Sequence, residues 1–163
     1  LIENARANQA VVDRVHRFSR RLLKSRDPRS VLTAIDASLR EDFGASDWVL
    51  LLTDPSLQAL AGIDFPQLRL VARDAPELRV FATFFESGRP RSGHIRENQR
   101  DYLFGVDGAQ VASTVLIPVG ERGALGLLAI ASQDPERYKP TMSTDFLTRI
   151  GELLTEAIAA RAA

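Results

Sequence analysis

The chain has 163 residues, 21 basic and 21 acidic side chains and no cysteine, a size that supports one packed core without disulfide or metal staples. The missing cysteines exclude thiolate catalysis, Cys-ligated zinc or iron–sulfur centres and thioether-bound chromophores, and zero net charge argues against a protein that grips phosphate backbones. No apolar run reaches the about 18 residues of a membrane span and no signal region opens the chain, so the expectation is a soluble, cytoplasmic module for binding, sensing or assembly.

The chain opens inside a helical pattern. Leu1, Ala5, Asn8, Val12, Val15, Ser19 and Leu22 follow alternating steps of four and three, the seam of a coiled coil. Asn8 on that seam would fix register by meeting its twin across a homodimer axis. A competing stripe, Val11, Val15, Phe18 and Leu22, would instead pack the helix on its own domain. The start carries no cap, so the helix is expected to continue upstream, as the end of a longer coiled coil. Residues 1–26 are read as this helical segment and 27–163 as the globular domain.

Asp27-Pro28 predicts a cap and first turn. A second helix carries Val31, Leu32, Ile35, Leu39 and Phe43 at helical spacing, and Gly44 ends it. Trp48 to Leu52 is too short and too continuously apolar for a helix and reads as a buried strand. A weak segment, Ser56 to Asp64, leads to an alternating strand at Gln67 to Arg73. Pro76 opens a third helix through Leu78, Phe81, Ala82 and Phe85, closed by Gly88 and Pro90. An extended piece follows at Arg91 to Ile95, then a polar stretch, Arg96 to Tyr102, and small residues from Gly105 to Ala109.

Val111 to Val119 and Leu125 to Ser132 flank Gly120-Glu121-Arg122-Gly123, the pattern of a hairpin. The last helix opens near Thr141 to Thr144 and presents Phe146, Leu147, Ile150, Leu153, Leu154, Ala157 and Ile158 on one face. Helices at both ends with strands between them predict an α+β sandwich. Its antiparallel sheet lies between the first, second and last helices on one face and the third helix on the other.

This order of elements resembles a GAF domain, the small-molecule-binding relative of PAS domains. Ile117-Pro118-Val119, the polar turn, Gly126-Leu127-Leu128-Ala129-Ile130 and the closing helix carry the resemblance. Three stretches narrow it: residues 1–8, Gly126 to Asp134, and Tyr138 to Leu147. Together they resemble an uncharacterised proteobacterial family of GAF-like domains, domain of unknown function 484, along the whole chain. Relatives usually carry glycine where Ala131 and Ser143 stand. The Asn-Lys-Phe-Asp-Glu signature of cyclic-nucleotide GAF domains is absent, which speaks against cAMP or cGMP. Without cysteine the chain can neither hold a bilin nor reduce methionine sulfoxide in the manner of some relatives.

Chemical motifs are sparse. Gly88-Arg89-Pro90-Arg91-Ser92-Gly93 spaces two glycines as a phosphate loop does, but lacks the Lys and hydroxyl that follow. His16 and His94 are the only histidines and show no metal-ligand spacing, and no Gly-x-Ser-x-Gly elbow exists. No cofactor, metal or enzymatic activity is expected. Arg14, Arg17, Arg20, Arg21, Lys24, Arg26 and Arg29 crowd the first helix, and a solvated face explains them better than nucleic acid does.

The sandwich arrangement gathers Phe81, Phe85, Arg91, His94, Tyr102, Phe104, Ser113 and Thr114 away from the terminal helices, where GAF-like domains hold ligands. Arg91 is expected to turn inward and orient an anion, unless Asp101, Glu97 or Glu86 neutralises it. Two functions compete. A sensor would bind a small molecule there and signal to a protein partner through a helical dimer; an assembly module would have a filled core and no ligand. A closed cavity of several hundred Å³ lined by Arg91 and His94 favours the first, and a packed interior favours the second.

Overall fold

The computed structural model describes the backbone of residues 2–162, and the side chains of all of these except 2–4, 7, 8, 58 and 162. Helix α1 (Ile2–Lys24) leads through a short turn to α2 (Pro28–Asp42). Asp27 caps α2 by accepting from the Ser30 amide at 2.7 Å, while the Ser30 hydroxyl accepts from the Asp27 amide at 3.1 Å. Strands β1 (Asp47–Leu52) and β2 (Leu68–Leu70) follow, then a 3₁₀ turn at Pro76–Phe81 running into α3 (Ala82–Ser87). Next come β3 (Arg91–Gly93), α4 (Glu97–Phe104), the hairpin β4 (Ser113–Val119) and β5 (Gly126–Ser132), and α5 (Thr144–Ala162).

The strands form one open five-stranded sheet in the order β2-β1-β5-β4-β3. The hairpin forms as predicted, with Val115 opposite Ile130 and Ile117 opposite Leu128. The expectation of a wholly antiparallel sheet needs correction, because β2 runs parallel to β1 with Leu50 beside Leu68 and Leu52 beside Leu70. A parallel neighbour requires a crossover of about a dozen residues or more, and segment 53–67 supplies it, with a 3₁₀ turn at Pro55–Leu60. The predicted strand over 67–73 is also shorter than expected, and the polar stretch from Arg96 to Tyr102, to which the sequence pattern assigns no element, contributes most of helix α4.

Alternation along the strands sends successive side chains to opposite faces. Trp48, Leu50, Leu52, Val115, Ile117, Val119, Leu128 and Ile130 meet α1, α2 and α5 in the larger core. Val49, Leu51, Leu116, Leu127, Ala129 and Ala131 meet Leu78, Phe81, Phe84, Leu103 and Phe104 on the other side. Both layers of the predicted α+β arrangement are therefore present. The last helix buries Leu147, Ile150, Leu153, Leu154, Ala157 and Ile158 as its pattern predicts.

The second half of α1 packs into the domain, with Phe18 and Leu22 buried in the same core as α2 and α5. Arg161 Nε donates to the Ser25 carbonyl at 2.7 Å, fastening the end of α5 to the α1–α2 turn.

A polar contact ties α2 to the sheet. Trp48 Nε1 donates to Asp36 Oδ1 at 2.7 Å and Arg40 Nε donates to the same oxygen at 2.8 Å. Burial favours the neutral acid, but the bonds from Trp48 and Arg40 and the Arg40 charge outweigh it, holding Asp36 below the ordinary carboxylate range. A lowered folded-state pKa means stability that is complete above about pH 4 and is lost as pH falls through the lowered value. Asp36→Asn keeps an acceptor and loses the charge. Thermal melts should show it less stable than the native chain at pH 7, with the gap narrowing below about pH 4; a gap independent of pH would exclude the charge as its source.

Candidate functional site

The residues gathered by sequence reasoning divide into three groups. Phe81 is fully buried, Phe104 is 7% exposed, and Tyr102 lies edge-on to Phe81 with ring centroids 6.1 Å apart. Phe84 and Phe85 stack similarly at 5.4 Å. These rings fill the layer between α3, α4 and the sheet, where a ligand cavity was expected. Two arginines that sequence reasoning passed over clamp this layer. Arg69 donates to the carbonyls of Tyr102 and Leu103 at 2.6 and 2.7 Å, satisfying the C-terminal end of α4. Arg73 donates to the Gly123 carbonyl at 2.8 Å and lies 3.9 Å over the Phe85 ring.

Ser113 belongs to the opposite face. Its hydroxyl donates to the Asp134 carbonyl at 2.7 Å and accepts from the Tyr138 amide at 3.3 Å. Neighbouring residues of one strand cannot share a face, so Ser113 and Thr114 cannot line one cavity. The expectation that they do is corrected on that ground.

Arg91, His94 and Thr114 do come together. With Ser92, Ile95, Arg96, Gln99 and Leu116 they line a shallow notch of about 120 Å³ beside β3, the edge strand. Arg91 is exposed instead of inward, as is common for a charge on a short edge strand. Glu97 and Asp101 approach Arg100, at 3.9 and 3.6 Å. Among the described residues Arg91 makes no ion pair and no side-chain hydrogen bond. The floor of the notch is internally satisfied: Thr114 Oγ1 donates to the Gly93 carbonyl at 3.2 Å, and Gln99 Nε2 to the Val80 carbonyl at 2.7 Å. The notch has the volume of a few waters and falls well short of a metabolite pocket.

Helix α1 has two faces of different use. Its inner face follows the stripe Val11, Val15, Phe18 and Leu22: Phe18 and Leu22 are buried, and Val11 and Val15 half-buried. The seam read from the sequence is thus split, since Val15 and Leu22 turn toward the chain's own core while Ala5 and Val12 face outward. Leu22 has nothing left to offer a partner. Leu1 and the Asn8 side chain lie outside the described residues. Val12 and Leu23 are 44% and 75% exposed, and besides Val106 they are the large apolar side chains left exposed among the described residues. Eleven positions separate them, about three helical turns, which puts both on one side of the helix. The basic residues of this helix divide likewise: Arg17 pairs with Asp42 at 3.1 Å and Arg21 with Glu41 at 2.7 Å, while Arg20 and Lys24 are solvated.

No group of three or more His, Asp or Glu side chains able to share a metal occurs among the described residues, and none of the helices is long and apolar enough to cross a membrane. The groups held away from their ordinary pKa answer to structure. Asp27 and Asp54 are lowered by backbone bonds from Ser30 and Ser56. Burial raises Tyr138, whose hydroxyl donates to the Phe43 carbonyl at 2.8 Å.

Fold and surface together define an α+β domain with an open mixed sheet, a filled second layer and one helix whose outer side exposes Val12 and Leu23 among polar residues that include Gln9 and His16. A family model described as "Protein of unknown function, DUF484" matches residues 1–161, and the chain belongs to that family. No curated protein matches the chain.

Proposed function

We propose that the chain is a non-enzymatic regulatory module of GAF-like descent that acts through protein contacts in the cytoplasm, two copies meeting along the outer face of α1. The observation that carries this reading is the pairing of Val12 and Leu23 on one exposed helix side, with Ala5 on the same outer face. Apolar groups aligned along a helix lower their free energy by covering one another. A helix fixed to its own core by Phe18 and Leu22 and to a second copy by Val12 and Leu23 would act as a rigid strut, setting the orientation of the two sheets. The filled layer around Phe81 supports assembly over sensing of a molecule held beneath the sheet.

The test is light scattering on the native chain and on Val12→Asp/Leu23→Asp. The native chain is expected to run as a dimer whose melting temperature rises with protein concentration, and the double variant as a folded monomer whose melting temperature does not, because both positions face solvent in the single chain. A native chain that stays monomeric at high concentration overturns the reading.

A further inference from the structure

On the other side of α1 lies a groove of about 740 Å³ between α1, the end of α2 and the start of α5. Its volume is that of a small-molecule site. Half-buried Val11, Met142 and Phe146 line it. Phe146 continues a ladder of rings into the core, 5.6 Å from Phe43, which in turn lies 6.4 Å from Phe18. An apolar body can therefore rest against Val11, Met142 and Phe146.

The charged groups of the groove are Arg14, Arg17, Arg137, Glu41 and Asp42. Both acids have ion-pair partners: Arg17 holds Asp42 Oδ1 at 3.1 Å, and Arg21, from outside the groove, holds Glu41 at 2.7 Å and stands 3.8 Å from Asp42 Oδ2, which is buried and accepts no hydrogen bond. Among the described residues, Arg14 and Arg137 have neither an ion pair nor a side-chain hydrogen bond. Arg137 is laid across Gly44, whose φ is +71°; a Cβ there would stand 2.7 Å from Arg137 Nε. The left-handed φ at the end of α2 sets that glycine, and the Arg137 side chain lies over it at the rim. A guanidinium cannot shed its charge and matches a carboxylate through two parallel bonds.

From these features we infer that the groove binds a small organic anion with an apolar body, of the class of medium-chain carboxylates, its head between Arg14 and Arg137 and its tail over Met142 and Phe146. The site is separate from the outer face of α1 and does not depend on self-association.

Met142 is the only methionine of the chain, so a ¹³C-methyl-methionine label places a single NMR reporter in the groove wall. The full chain is titrated with decanoate below its micellar range, with decanol and sulfate as the neutral and the headgroup-only controls. Decanoate is expected to move the Met142 resonance saturably and to raise the melting temperature. Arg14→Gln and Arg137→Gln should each weaken decanoate about tenfold, the loss of a charge-assisted bond, with melting temperatures of the free proteins unchanged. Arg91→Gln, at the notch, should bind as the native chain does. Decanol or sulfate matching decanoate, unchanged affinity in both groove variants, or an unmoved Met142 signal at millimolar decanoate would each overturn the assignment.

Discussion

Gly126→Ala is expected to destabilise the chain more than any other single-methyl change, by about 4 kcal/mol or more, lowering the Tm on the order of 10 °C. Gly126 opens β5, the central strand, opposite Leu52 on one side and Val119 on the other. Its φ is +147°, and an added Cβ would fall on the carbonyl oxygen of Leu51, with the Leu52 Cα at 3.0 Å. Those atoms are backbone of the adjacent strand, so relief requires parting β1 from β5. Gly62 is the contrasting position, with nothing within 4 Å of a Cβ and no unusual φ; Gly62→Ala should change stability by less than about 0.5 kcal/mol. Urea and thermal melts of the two variants decide the matter, and equal effects would contradict this account of the sheet.

Phe81→Ala carries the second large effect, a loss of about 3 to 5 kcal/mol. The ring is fully buried between the sheet and the 3₁₀ turn that bears it, edge-on to Tyr102. Truncation leaves a hole bounded by strands on one side and by α4 on the other, and the Arg69 clamp on the α4 carbonyls resists its collapse. If the layer were instead a loose pocket waiting for a ligand, the ring would already move freely and its loss would cost about 1 kcal/mol or less. The size of the change in Cm at constant m therefore separates a filled layer from an adaptable one.

Much of this architecture was legible where pattern and burial coincide. The hairpin was visible because both strands are apolar on both faces and Gly120 and Gly123 bound the turn. The terminal helix was visible because its stripe runs unbroken from Leu147 to Ile158. Direction in the sheet was less legible, since Leu68 and Leu70 alternate identically in a parallel or antiparallel neighbour; the length of segment 53–67 was the available clue. Helix α4 escaped notice because it buries only Gln99, Leu103 and Phe104, too few for a helical stripe.

The candidate site was less legible than the fold. Arg91, His94 and Thr114 lie together beside β3, but Ser113 points to the other face, and strand alternation alone forbids the pair with Thr114. On α1 the coiled-coil seam and the inward stripe share Val15 and Leu22, and periodicity cannot say which neighbour a shared residue meets. The groove is assembled from α1, α2 and the approach to α5, so no contiguous motif announces it.

The central claim, that two copies meet along the outer face of α1, has a direct test in a chain without cysteine. Val12→Cys and Val106→Cys each introduce one thiol at an exposed position, and mild oxidation reports which thiols meet their twins. The account predicts a rapid disulfide-linked dimer from Val12→Cys at micromolar concentration and a monomer from Val106→Cys under the same conditions. A monomer from Val12→Cys, or equal cross-linking at both positions, would contradict it.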